Sequence, residues 1–328
     1  MKKSMLLVLL LSPILLFPQK MSTEAQEFKD IVMKYAYQYL SPMQIKVLEE
    51  NYCGPDDCYK SIRNRNTRTG EGDYIPWNRE VSDEIVIRAL EVVVHESTHK
   101  FNPRDKRFVV SETEFIEIEK TEVIRTSLIT NDMIDRNPII EDISLFHTYV
   151  NVDYDYYLGS NIGGIYGLMD EYCAYYNGVS AAFILYKVFK NKQESITNDS
   201  IAEWYKDRKE DVGLDALGHM SAFYEFNSFI SAYLMYVREN NYEIYDDIMN
   251  NTEFLRAYSM VTLNYKELAD EIQEEFPDNK IIIYKSETAS VTRGANIDFE
   301  EVMAVYNDYI PFLEKLQNIA NNQILTKK

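Results

Sequence analysis

The stretch Ser82–Asn102, SDEIVIRALEVVVHESTHKFN, decides how this chain is read. Ser82 has the side chain of an N-cap, and Asp83 and Glu84 suit the positive end of a helix dipole. Asn102-Pro103 closes the run, because the residue before a proline avoids the helical region. Between these ends a helix from about Ser82 to Lys100 is predicted. Val92, Val93, Val94, Ala89 and Leu90 make it apolar nearly all round, which is the pattern of a buried helix. Near its end stand His95, Glu96 and His99. Four residues is a little over one turn, about 6 Å of rise, so both imidazoles project from one face.

Polar groups on a buried helix need partners, and a metal ion supplies them. Two imidazoles at this spacing can each reach a zinc ion at about 2.0–2.1 Å. Glu96 then stands where a carboxylate can take a proton from water that zinc has brought to a pKa of about 7. The chain has four histidines, and two of them fall in this pattern. Zinc is therefore the expected cofactor.

A catalytic zinc commonly has three protein ligands and an open position. No third histidine follows within a dozen residues; His147 and His219 read as surface or satisfied core histidines. The run Gly163–Gly178, GGIYGLMDEYCAYYNG, places an Asp-Glu pair in an otherwise apolar and aromatic helix. Buried carboxylates are costly unless paired or bound to metal. The candidates for the third ligand are Glu171, Asp170, Glu112 and Glu114.

The His95-Glu96-Ser97-Thr98-His99 helix with a later acidic helix resembles the gluzincins, the glutamate-zincin metallopeptidases. The resemblance covers about Ile85–Phe101 and Gly163–Gly178, and the two helices lie further apart in sequence than in thermolysin-like members. It implies that Glu171 is the third ligand and that Asp170 orients a histidine. It further implies Glu96 as general base and a Tyr or His as oxyanion donor, for which Tyr166 is the first choice and His147 the second. The implied activity is hydrolysis of peptide bonds in a peptide or protein substrate. The alternatives are a non-catalytic zinc-binding interaction protein of zincin fold and a zinc amidase acting on cell-wall peptides.

The rest of the chain is read around these helices. Its 328 residues are 46% hydrophobic and 27% charged, which suits a folded chain with a sizeable core. A formal charge of -19 without a basic stripe argues against nucleic acid. Lys2 and Lys3 before the apolar run Met5–Phe17 follow the signal-peptide pattern, and the run is too short to span a membrane. A secreted or periplasmic location is expected, with no stable membrane span beyond that segment. Export would allow a Cys53–Cys58 disulfide, while Cys173 reads as a small buried residue.

Helices are expected over Thr23–Leu40, Pro42–Tyr52 and about Tyr166–Lys190, and over almost everything beyond. A polar loop is expected over Gly54–Trp77. Short strands are expected at Phe108–Val110, Phe115–Ile118, Val123–Ile124, Tyr149–Leu158 and Ile281–Tyr284, and a loop at Gly159–Gly164. The fold class is α+β: residues 1–20 a signal peptide, 21–194 a mostly helical zincin-like catalytic domain with a small sheet, and 195–328 a helical C-terminal subdomain.

Overall fold

The computed structural model describes residues 23–53, 81–102, 106–142, 145–151, 159–277 and 299–326. The expected signal peptide, the polar loop after Cys53, the partner cysteine Cys58 and the Ile281–Tyr284 strand lie outside them. The described chain is mostly helical with one small sheet. Helices α1 (Thr23–Tyr39), α2 (Pro42–Asn51) and α3 (Asp83–Phe101) come first, followed by strands β1 (Arg107–Val109) and β2 (Phe115–Glu117). Short helices α4 (Thr130–Arg136), α5 (Phe146–Tyr149) and α6 (Gly159–Ile162) lead to α7 (Ile165–Ser195), the longest of the described helices. Helices α8 (Asp199–His219), α9 (Ala222–Asn240), α10 (Tyr242–Asn250), α11 (Thr252–Glu275) and α12 (Phe299–Thr326) complete it.

The ends of α3 follow from its sequence. The Ser82 hydroxyl accepts the Ile85 N–H at 3.4 Å, and Asn102 stops the helix with its backbone N–H on the Thr98 and His99 carbonyls. Strands β1 and β2 pair antiparallel, with Phe108 opposite Ile116. Helix α7 is buried along most of its length and packs on both α3 and α8. One hydrophobic core takes residues from either side of Ser195, among them Val94, Tyr172, Phe223 and Tyr258. The residues on either side of position 194 thus share core packing.

Three local expectations are corrected. Val123–Ile124 forms no strand, because the Tyr233 hydroxyl takes both backbone groups of Ile124, its N–H at 2.9 Å and its carbonyl at 3.0 Å. Those groups are satisfied without a neighbouring strand. Tyr149 ends helix α5 instead of opening a strand, and residues 152–158 lie outside the described set. The expected loop at Gly159 is helix α6, whose Ser160 backbone lies so close to Gly167 that a Cβ there would sit 2.0 Å from the Ser160 carbonyl oxygen. Gly164 then starts α7 at φ +56, a left-handed conformation that glycine adopts without strain.

Candidate metal centre

Gly178 governs how close α7 can come to α3. A Cβ at this position would lie 3.1 Å from the Glu91 carbonyl oxygen and 3.3 Å from the His95 Cβ. Glycine inside a helix costs roughly 1 kcal/mol relative to alanine; here it lets the two backbones meet beside the first histidine. Two turns back along α7, Asp170 and Glu171 face the same part of α3.

The structure brings His95, His99 and Glu171 together. The two Nε2 atoms lie 3.1 Å apart, and Glu171 Oε2 is 3.3 Å from His99 Nε2 and 3.8 Å from His95 Nε2. The side chains are largely enclosed, at 15% exposure for His95, 22% for His99 and 13% for Glu171. Donors bound tetrahedrally at about 2.0–2.1 Å stand about 3.3–3.4 Å from one another. The observed separations bracket that value, and the cluster can hold a metal ion.

Asp170 grips the other side of the same imidazole, with Oδ2 accepting from His99 Nδ1 at 2.6 Å. Two successive carboxylates of α7 thus address the two nitrogens of one ring. Burial disfavours the charged imidazole, but Asp170 and Glu171 outweigh it and hold the His99 pKa well above the ordinary range. Burial raises the Asp170 carboxyl, and His99 opposes that. Glu96 is half-buried on the flank of α3 beside the two ligating positions.

The rival ligands are elsewhere. Glu114 pairs with Arg256, and Glu112 is exposed at a groove between the β-hairpin, α7 and α11. His147 donates through Nε2 to the Glu141 carbonyl at 2.8 Å and accepts at Nδ1 from Asn151, so it is a half-buried histidine with both ring nitrogens satisfied. Tyr166 is not brought to the cluster. It is fully buried; its hydroxyl accepts from the Thr121 backbone N–H and from Asn251, both at 3.1 Å, and lies 2.9 Å from the Thr121 hydroxyl. It fastens the chain after β2 to the start of α11.

A tyrosine does stand at the cluster, but it is Tyr175, one turn beyond Glu171. Its ring meets His95 edge-on at 4.7 Å and His219 at 5.8 Å. His219 is the residue whose importance the sequence concealed. Its Nδ1 donates to Glu91 Oε1 at 2.5 Å, and Glu91 lies one turn before His95 on α3. Asp215, one turn before His219, has its carboxyl pushed up to about 7, first by burial and then by Glu91. The available signal was the spacing of acids at i−4 from both histidines, which places each pair on one helical face.

No protein family, no curated protein and no solved structure matches this chain. The chemistry of the cluster therefore rests on the cluster itself.

Proposed function

We propose that this chain is an exported zinc metallopeptidase of gluzincin-like type. The observation that carries the reading is the spacing of three donor atoms, two imidazole and one carboxylate, at tetrahedral separations on enclosed helix faces. Histidine nitrogen with carboxylate oxygen is a common zinc donor set. Zinc bound there would supply Lewis acidity, lowering the pKa of water to about 7 and polarising an amide carbonyl.

His95, His99 and Glu171 hold the ion, and Asp170 fixes the ring of His99. Glu96 accepts a proton at its carboxylate and returns it to the leaving amine. His219, held by Glu91, takes the donor role first given to Tyr166, because its ring packs on Tyr175, which in turn packs on His95, and is 41% exposed. Export is read from Lys2 and Lys3 before the apolar run Met5–Phe17, the signal-peptide pattern. Among the described residues no helix is long and apolar enough to cross a membrane.

The test is Glu96→Gln, assayed on a mixed peptide library with zinc content measured in parallel. Activity is expected to fall by about 10²–10⁴-fold, with one zinc still bound. Full activity with zinc unchanged would overturn the mechanism.

A further inference from the structure

The proton that must be kept off the metal-facing nitrogen of His99 can be traced to a backbone group. Asn102, the residue that ends α3, accepts the Arg107 backbone N–H at its side-chain oxygen, 2.6 Å away, at the entrance to β1. A backbone N–H can only donate, so this contact fixes which end of the Asn102 amide is oxygen. The NH₂ end is then turned to Asp170 and donates to Oδ1 at 2.5 Å. The other oxygen of Asp170 is left to accept from His99 Nδ1 at 2.6 Å. Nδ1 therefore keeps a proton, so the nitrogen that would give up its proton to a metal is Nε2, which faces His95 and Glu171. The Arg107 N–H fixes the Asn102 amide, the amide NH₂ holds Asp170 Oδ1, and Asp170 Oδ2 holds the His99 ring. Asn102 is 3% exposed, so water does not compete for these contacts.

We infer that Asn102 is a positioning residue for the metal centre, setting the tautomer and ring orientation of His99 through Asp170. It also ties the end of the ligand helix to the first strand, so the hairpin and the cluster share one hydrogen-bond path. The consequence for metal affinity rests on the zinc reading above; the consequence for the His99 proton does not.

The chain makes a prediction that simple packing does not. In Asp170→Asn, Asn102 still presents NH₂, so residue 170 must turn its carbonyl oxygen to Asn102 and its own NH₂ to His99 Nδ1. The ring then holds its proton at Nε2, the wrong nitrogen. In Asn102→Asp the Arg107 N–H is still accepted, but two carboxylates face each other. The exchanged pair, Asn102→Asp with Asp170→Asn, restores every donor to an acceptor.

The experiment follows the His99 Nδ1 proton by NMR of ¹⁵N-histidine-labelled protein, metal-free and zinc-loaded, and zinc affinity by chelator competition. Circular dichroism serves as the fold check. Asp170→Asn is expected to lose the slowly exchanging Nδ1 proton, each single variant to lose about 10–100-fold in zinc affinity, and the exchange variant to recover the proton and at least tenfold in affinity. An exchange variant no better than the singles, or an Asn102→Asp protein keeping both the proton and the affinity, would overturn the assignment. If the wild type shows the Nδ1 proton yet binds no zinc, the zinc reading fails while the proton signal in the variants still decides the role of Asn102.

Discussion

Helix α3 carries one end of two histidine–carboxylate pairs, and they behave differently. His99 meets Asp170 of α7 at 2.6 Å, and Glu91 meets His219 of α8 at 2.5 Å. The distances are nearly equal, so the pair itself does not make a site. The difference lies at the opposite nitrogen. Around His99 Nε2 two further donors converge within 3.3 Å. His219 instead has the acids Glu91 and Asp215 around it, with Glu225 within electrostatic reach, and is more exposed, at 41% against 22%. A carboxylate orients an imidazole; only convergence of additional ligands turns the oriented ring into an ion site.

Removing one member from each region has the largest expected effect. Glu171→Ala should lower zinc affinity by more than the roughly 10–100-fold that loss of an outer hydrogen bond costs. His219→Ala should leave one zinc bound while cutting peptidase activity by about 10²-fold, the scale of a lost donor to developing charge. Metal content by mass spectrometry and turnover on the same samples measure both. Equal metal loss in the two variants would place His219 inside the ion site and erase the distinction.

Glu91→Gln keeps an acceptor for His219 Nδ1 but removes the charge, so zinc binding should hold and activity should fall less than in His219→Ala, by about tenfold. A loss equal to that of His219→Ala would make the charge of Glu91, and not only its position, essential to the pair.

Much of the first region was legible because its signals are local. Caps and periodicity fix α3 and with it the His95–His99 spacing. Glu171 was readable because a carboxylate in an apolar, aromatic run requires a partner. The second region was not legible, since Glu91 and His219 are separated by 128 residues and neither breaks its own helical pattern. Tyr166 and Tyr175 illustrate the same limit. Both are tyrosines near Glu171 on one helix, and only the packing of Thr121 and Asn251 against one and of His95 against the other separates them. Ile124 reads as strand by composition, yet a single distant hydroxyl satisfies its backbone. Sequence pattern reports what a residue needs; which distant group answers that need is settled by tertiary contact.

The mildest test concerns stability in the second region. Glu225 on α9 is fully buried; one oxygen accepts the Leu145 N–H at 3.0 Å at the start of α5. Burial pushes its carboxyl up to about 7, against the Leu145 N–H, the Ser221 hydroxyl and the charge of His219. A carboxyl whose pKa is raised on folding binds its proton more tightly in the folded state. Its contribution is fully present below the unfolded value near 4.5 and is lost as pH rises through 7. Glu225→Gln keeps the acceptor for Leu145 and removes the ionisation. The variant should therefore be more stable than wild type at pH 8, by a few kcal/mol at most, with the advantage shrinking to near zero by pH 4–5. Urea midpoints across that range measure it. A gap that does not change with pH would mean that Glu225 stays ionised in the fold, and that the second region carries a fixed charge where the first holds a proton in place.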